Sequence, residues 1–63
     1  MKFENAFLTA DNSVGMQFKS KSKQLFTVWM DSHGVIHFTE GFSKKDTEEA
    51  ISYYNKNFSN FIR

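Results

Sequence analysis

His33 and His37 stand four residues apart and are the only imidazoles of the chain. On a helix that spacing puts both on one face, where they can share a metal ion. Here Asp31-Ser32-His33-Gly34 reads as a turn. His33 is then a turn residue and His37 a strand residue opposite Trp29, and no metal centre is expected. Asp46, Glu48 and Glu49 lie close enough together for acid–base work, but they also open a helix, where the positive end of the dipole favours anions. The glycines fall at 15, 34 and 41 and build no phosphate-cradling loop. No Ser/His/Asp set has a recognisable nucleophile spacing. Lys19, Lys21 and Lys23 recur at every second residue. Continued along one strand, that alternation reaches Trp29 and sets cations beside an aromatic ring, an arrangement that suits stacked bases and phosphate. The chemistry these residues offer is recognition, so a non-catalytic protein without a cofactor is expected.

Sixty-three residues make a single domain, 1–63, with no Pro, no linker and no internal repeat. A chain of this size buries only about 60% of the surface that its unfolded form exposes. It has no Cys, so neither a disulfide nor a thiolate metal site braces it. Aromatic bulk must do so instead: there are eight Phe, two Tyr and one Trp, and each buried ring removes roughly 150–250 Å² from water. Absent Cys fits a reducing compartment. No signal peptide is visible and no apolar run approaches the ~20 residues that span a bilayer, so a soluble cytoplasmic protein is expected. The wealth of Phe, Asn, Lys and Ser suits an AT-rich genome, that of a phage included.

The elements that position these residues follow from turn chemistry and periodicity. Asp31 starts a type I turn and Gly34 takes the left-handed place after it, which makes a three-residue hairpin loop with a bulge. That loop sets Met30 against Ile36, Trp29 against His37, Val28 against Phe38 and Thr27 against Thr39. One face of the hairpin then carries Phe26, Val28, Met30, Ile36 and Phe38, and the other Thr27, Trp29, His37 and Thr39. Further on, Ser43 caps a helix, with Asp46 three residues later. Ala50, Ile51, Tyr54, Phe58 and Phe61 recur at helical spacing as one stripe, while Glu49, Ser52 and Lys56 point away from it. Asn55 and Asn57 weaken the helix, which frays into Ser59–Arg63. In the N-terminal third, Lys2–Thr9 reads as a strand with Phe3 and Phe7 on one side. Residues Ala10–Ser13 read as a turn and Met16–Lys19 as a second strand. Residues 19–23 are either an extension of that strand or a loop. The fold class is α+β: a small antiparallel meander of three or four strands packed against one C-terminal helix, in the order β-β-β-β-α.

The stretch QLFTVWMDSHGVIHFTEGFSKKDTEEAISYY, about half the chain, resembles the AP2-like DNA-binding module found at the start of phage integrases and in plant transcription factors. The shared features are an aromatic-rich strand, an Asp-x-x-Gly turn, a second strand ending in Gly41-Phe42, and a Glu-Glu-Ala run opening the helix. The resemblance implies a three-stranded sheet presented to the DNA major groove and backed by a helix. The spacing from Phe42 to Ala50 is two residues longer than usual in that family. The family also places several Arg on its reading strands, whereas the only Arg here is Arg63.

Two classes of partner are therefore expected. The first is a larger protein, on which the chain docks as an inhibitor, adaptor or subunit through Thr27, Trp29, His37 and Thr39, with Tyr53 on the flank of the helix stripe. Trp and Tyr are enriched in interface hot spots, and a short sheet also has edges that can pair with another chain. Trp29 in that case is presented outward; the alternative is a Trp29 that covers the back of the sheet, aided by the N-terminal strand. The second class is DNA, read by the sheet face with Lys19, Lys21 and Lys23 on the phosphates. A net charge of +1 is short of the basic footprint of such a domain. The lysines discriminate: beside Trp29 they favour nucleic acid, and in a loop they favour protein. For the turn itself, Gly34→Val should lower stability by more than about 1 kcal/mol in chemical denaturation, because a β-branched residue resists positive φ. An unchanged midpoint would remove the bulged turn.

Overall fold

The computed structural model describes residues 1–61. Three tight turns fold the first part of the chain into a meander: Thr9–Ser13, Ser20–Gln24 and Asp31–Val35. All three have one design. The first residue's N–H donates to the fifth residue's carbonyl at 2.8, 3.0 and 2.9 Å, and the fourth residue's N–H returns to the first carbonyl at 3.0 Å in each. The fifth N–H donates to the side-chain oxygen of the first residue: Ser13 to Thr9 Oγ1 at 3.1 Å, Gln24 to Ser20 Oγ at 3.1 Å, and Val35 to Asp31 Oδ1 at 3.0 Å. The fourth residue is left-handed in each, with φ of 61° at Asn12, 65° at Lys23 and 80° at Gly34. These are three-residue hairpin loops with a bulge at the left-handed position. They begin at residues 9, 20 and 31, so the backbone repeats every eleven residues although the residue types do not.

Between the turns run β1 (Lys2–Leu8), β2 (Val14–Lys19), β3 (Leu25–Met30) and β4 (Ile36–Phe38), antiparallel and adjacent in chain order. The expected hairpin register is found, with Val28 opposite Phe38, Trp29 opposite His37 and Met30 opposite Ile36. Two expectations change. The Ser20–Gln24 turn breaks the alternation of Lys19, Lys21 and Lys23, so it does not continue into β3. In β1 the register shifts between Phe3 and Asn5, leaving Glu4 as an extra residue. A bulge of one residue exchanges the faces on either side of it. Phe3, paired with Phe18, therefore points to the helix side, and Phe7, paired with Gly15, points to the opposite side.

The helix α1 (Lys44–Asn57) lies on the face that carries Val14, Met16, Phe18, Phe26 and Val28. Ser43 caps it, its hydroxyl accepting from the Asp46 N–H at 3.1 Å. The apolar stripe meets the sheet in part: Ala50 and Tyr54 are buried with the strand residues and Ile51 and Phe58 pack partly against them, whereas Phe61, beyond the end of the helix, is exposed. The Tyr54 hydroxyl donates to the Val14 carbonyl, which ties the far end of the helix to the start of β2. Burial pushes the Tyr54 pKa upward. Phe42 closes the near end with its ring edge-on to Phe26, 5.1 Å between centroids at 85°. A short 3₁₀ turn, Phe58–Asn60, follows the helix; of the expected frayed tail, residues 62 and 63 lie outside the described ones. No described helix is long and apolar enough to cross a membrane.

Lys23 holds a left-handed place that costs an ordinary side chain roughly 1–2 kcal/mol, while glycine adds about 0.4–1 kcal/mol of unfolded-chain entropy. Lys23→Gly should therefore raise stability by about 0.5–1 kcal/mol in urea denaturation, and a loss would contradict the shape of that turn.

Candidate functional site: the open face of the sheet

The face of the sheet opposite α1 is laid out in three rows set by the strand pairing. Phe7, Gly15, Trp29 and His37 form the first row, one residue from each strand. Asn5, Gln17 and Thr27 form the second. Thr39 extends this row beyond the end of β4, its N–H donating to the Thr27 carbonyl at 3.0 Å and its Oγ1 accepting from the Thr27 N–H at 3.1 Å. Lys2, Lys19 and Leu25 form the third. Thr27, Trp29, His37 and Thr39 thus share one face, as the hairpin register requires.

The first row is held from above and below. The Trp29 and His37 rings lie nearly parallel, 5.4 Å between centroids at 17°. The His37 Nε2 is 2.7 Å from Asp31 Oδ2. The other oxygen of Asp31 accepts the backbone N–H groups of His33 at 2.8 Å and Val35 at 3.0 Å. One carboxylate therefore closes the turn and fixes the imidazole that supports the indole. The His37 hydrogen bond, followed by those from the Val35 and His33 N–H groups, holds the Asp31 pKa at about 2. At the other end of the row, Phe7 lies over Gly15: a Cβ added at Gly15 would come within 2.6 Å of Cε2 and 2.8 Å of Cε1 of the ring. Glycine here admits the close approach of an aromatic from the neighbouring strand.

The remaining expected residues lie elsewhere. Lys19 is on the open face but in the third row, roughly 13 Å along the strand from the aromatic row, and pairs with Glu4 at 3.7 Å. Lys21 and Lys23 are exposed in the Ser20–Gln24 turn. The cations expected beside Trp29 are thus gathered at the opposite end of the sheet, because the turn reverses the chain between them and the indole. Tyr53 is on the other side of the molecule. Its ring stacks on Phe3 at 5.3 Å and 24° and meets Phe18 edge-on at 5.5 Å. It lines a depression of about 260 Å³ with Phe3, Phe18, Ala50 and Lys56. The expected binding set therefore divides into the open face, the lysine turn and the helix flank. Phe7, Asn5, Gln17 and Asp31 join the open face without having been expected there. A glycine inside a strand, Gly15, was the available sign of a ring lying over the sheet.

No family model matches the chain, and neither curated proteins nor solved structures match it.

A carboxyl whose folded pKa is about 2 against an ordinary 3.8 stabilises the folded state above pH ~4 and loses that contribution as pH falls from about 4 through 2. Asp31→Asn can still close the turn through its amide oxygen. It should flatten the pH dependence of the unfolding midpoint in that window, and an unchanged acid limb would show that Asp31 carries no such coupling.

Proposed function

We propose that the chain is a small, non-catalytic binding domain that docks on a larger protein through the open face of its sheet, as an inhibitor, adaptor or subunit. The observation that carries this reading is an uncovered sheet face with a row of aromatic rings on it. Trp29 is only part-buried, and its plane is fixed by His37 and Asp31. A pre-positioned indole loses little conformational freedom on binding, which is why Trp and Tyr dominate interface hot spots. The row of Asn5, Gln17, Thr27 and Thr39 beside it supplies short polar groups able to exchange water for partner hydrogen bonds. A chain without Cys that works in a reducing cytoplasm, in a phage-infected cell among others, fits the same reading.

DNA binding in the AP2-like manner is the weaker reading. It needs Lys or Arg among the reading side chains, whereas the aromatic row has neither and Lys19 is already paired with Glu4. Lys21 and Lys23 project from a turn, and the net charge is +1.

The test compares baits in a lysate of the cell of origin, with and without nuclease. Trp29→Ala should stay folded by circular dichroism and lose a protein that the unaltered chain retains, whether or not nuclease is present. Glu48→Ala, exposed on the helix, should retain it. Retention by Trp29→Ala, or loss on nuclease treatment, would sink the reading, and an unfolded Trp29→Ala would make the indole a structural residue.

A further inference from the structure

The two ends of the open face differ in charge. Lys2, Lys19, Lys21 and Lys23 gather at the end of the Ser20–Gln24 turn, whereas the other two turns bring Asp11 and Asp31 to the end of the aromatic row. At that acidic end a depression of about 410 Å³ is lined by Phe7, Thr9, Asp11, Trp29 and Asp31, among others. Its volume is within the ~300–1,000 Å³ of ligand-binding sites, though it is open to solvent on one side. Among the described residues no Lys or Arg lines it.

We infer that this depression receives an arginine side chain of the docking partner. The inference rests on the reading of the open face as a docking surface and adds the chemistry of what is docked. Aromatic rings attract a cation over their faces, and a guanidinium is planar enough to lie against an indole while its N–H groups reach a carboxylate. The two carboxylates have different duties. Asp31 is already engaged on both oxygens, Oδ1 by the His33 and Val35 N–H groups and Oδ2 by His37 Nε2, so little of its acceptor capacity is left for a ligand. Asp11 has no ion-pair partner among the described residues, and stands exposed on the Thr9–Ser13 turn. It is the carboxylate available to a bidentate guanidinium. An anion is repelled here, and a neutral side chain leaves the Asp11 carboxylate to water.

The probe is N-acetyl-arginine methylamide, with N-acetyl-citrulline methylamide as its neutral isostere, each titrated into ¹⁵N-labelled protein. The arginine compound should give saturable shifts of the Thr9–Ser13 amides and the Trp29 indole N–H, at least fivefold tighter than the citrulline compound. Asp11→Asn, an exposed turn substitution, should weaken it at least threefold with an unchanged circular dichroism spectrum. Equal binding of the two compounds, shifts confined to Lys19–Gln24, or indifference to Asp11→Asn would overturn the inference. Loss of partner capture in Trp29→Ala, with no preference for the arginine compound, leaves the docking surface standing and removes only the arginine. Preference for the arginine compound with capture intact in Trp29→Ala makes the depression a site for free cations, and the partner side chain is then wrong.

Discussion

A helix of 14 residues is ~21 Å long and ~10 Å wide, while four strands at ~4.8 Å spacing set their outer axes roughly 14 Å apart. The helix is narrower than the sheet that it covers, and there is only one. This coverage limit decides most of the remaining structure. The fully buried residues concentrate on the two central strands and the helix: Met16, Phe26, Val28 and Tyr54 are the largest. Side chains at the flanks are left partly in water, among them Leu8 on β1, Phe38 on β4 and Tyr53 on the helix. The second face of the sheet is covered by no described helix. The aromatic row on it is therefore a consequence of chain length as much as of residue choice.

The meander is assembled by short-range means. Each turn is closed within five residues by one hydroxyl or carboxylate oxygen and two backbone bonds, so each hairpin forms without help from distant parts of the chain. Only the helix requires long-range contact, and the bond from Tyr54 to the Val14 carbonyl is where it is fixed to the sheet. Pairing of strands that are neighbours in the chain keeps the sheet's contacts shorter in sequence than a crossover topology would.

How much of this was legible in the sequence depended on whether the residue types advertised the backbone. The Asp31 turn was legible because Asp and Gly are the types that its geometry favours. The same turn at Ser20–Gln24 was not, because Lys occupies the left-handed place that glycine would have marked. For that reason the three lysines could be drawn as a continuous strand leading to Trp29. The helix stripe was legible because its period is 3.6 and its residues are large. The bulge at Glu4 leaves no mark, since an extra residue in a strand changes facing without changing composition, and because of it Phe3 and Phe7, expected on one side, lie on opposite faces. The half of the open face that lies on β3 and β4 follows from one hairpin register; the half on β1 and β2 depends on the pairing across the other two turns, one of which carries Lys where glycine would have marked it.

The bulge also governs what happens at high concentration. β1 is the longer outer strand of the sheet, and its free edge would be a template for lateral addition of further strands. The extra residue, Glu4, bends that edge and interrupts its ladder between Phe3 and Asn5, and it sets a charge on the edge. The opposite edge, β4, is three residues long, too short to nucleate a stable ladder. A molecule obliged to leave one aromatic face in water thus has both of its edges spoiled for fibril growth, so self-association by strand addition is disfavoured while the face itself stays accessible.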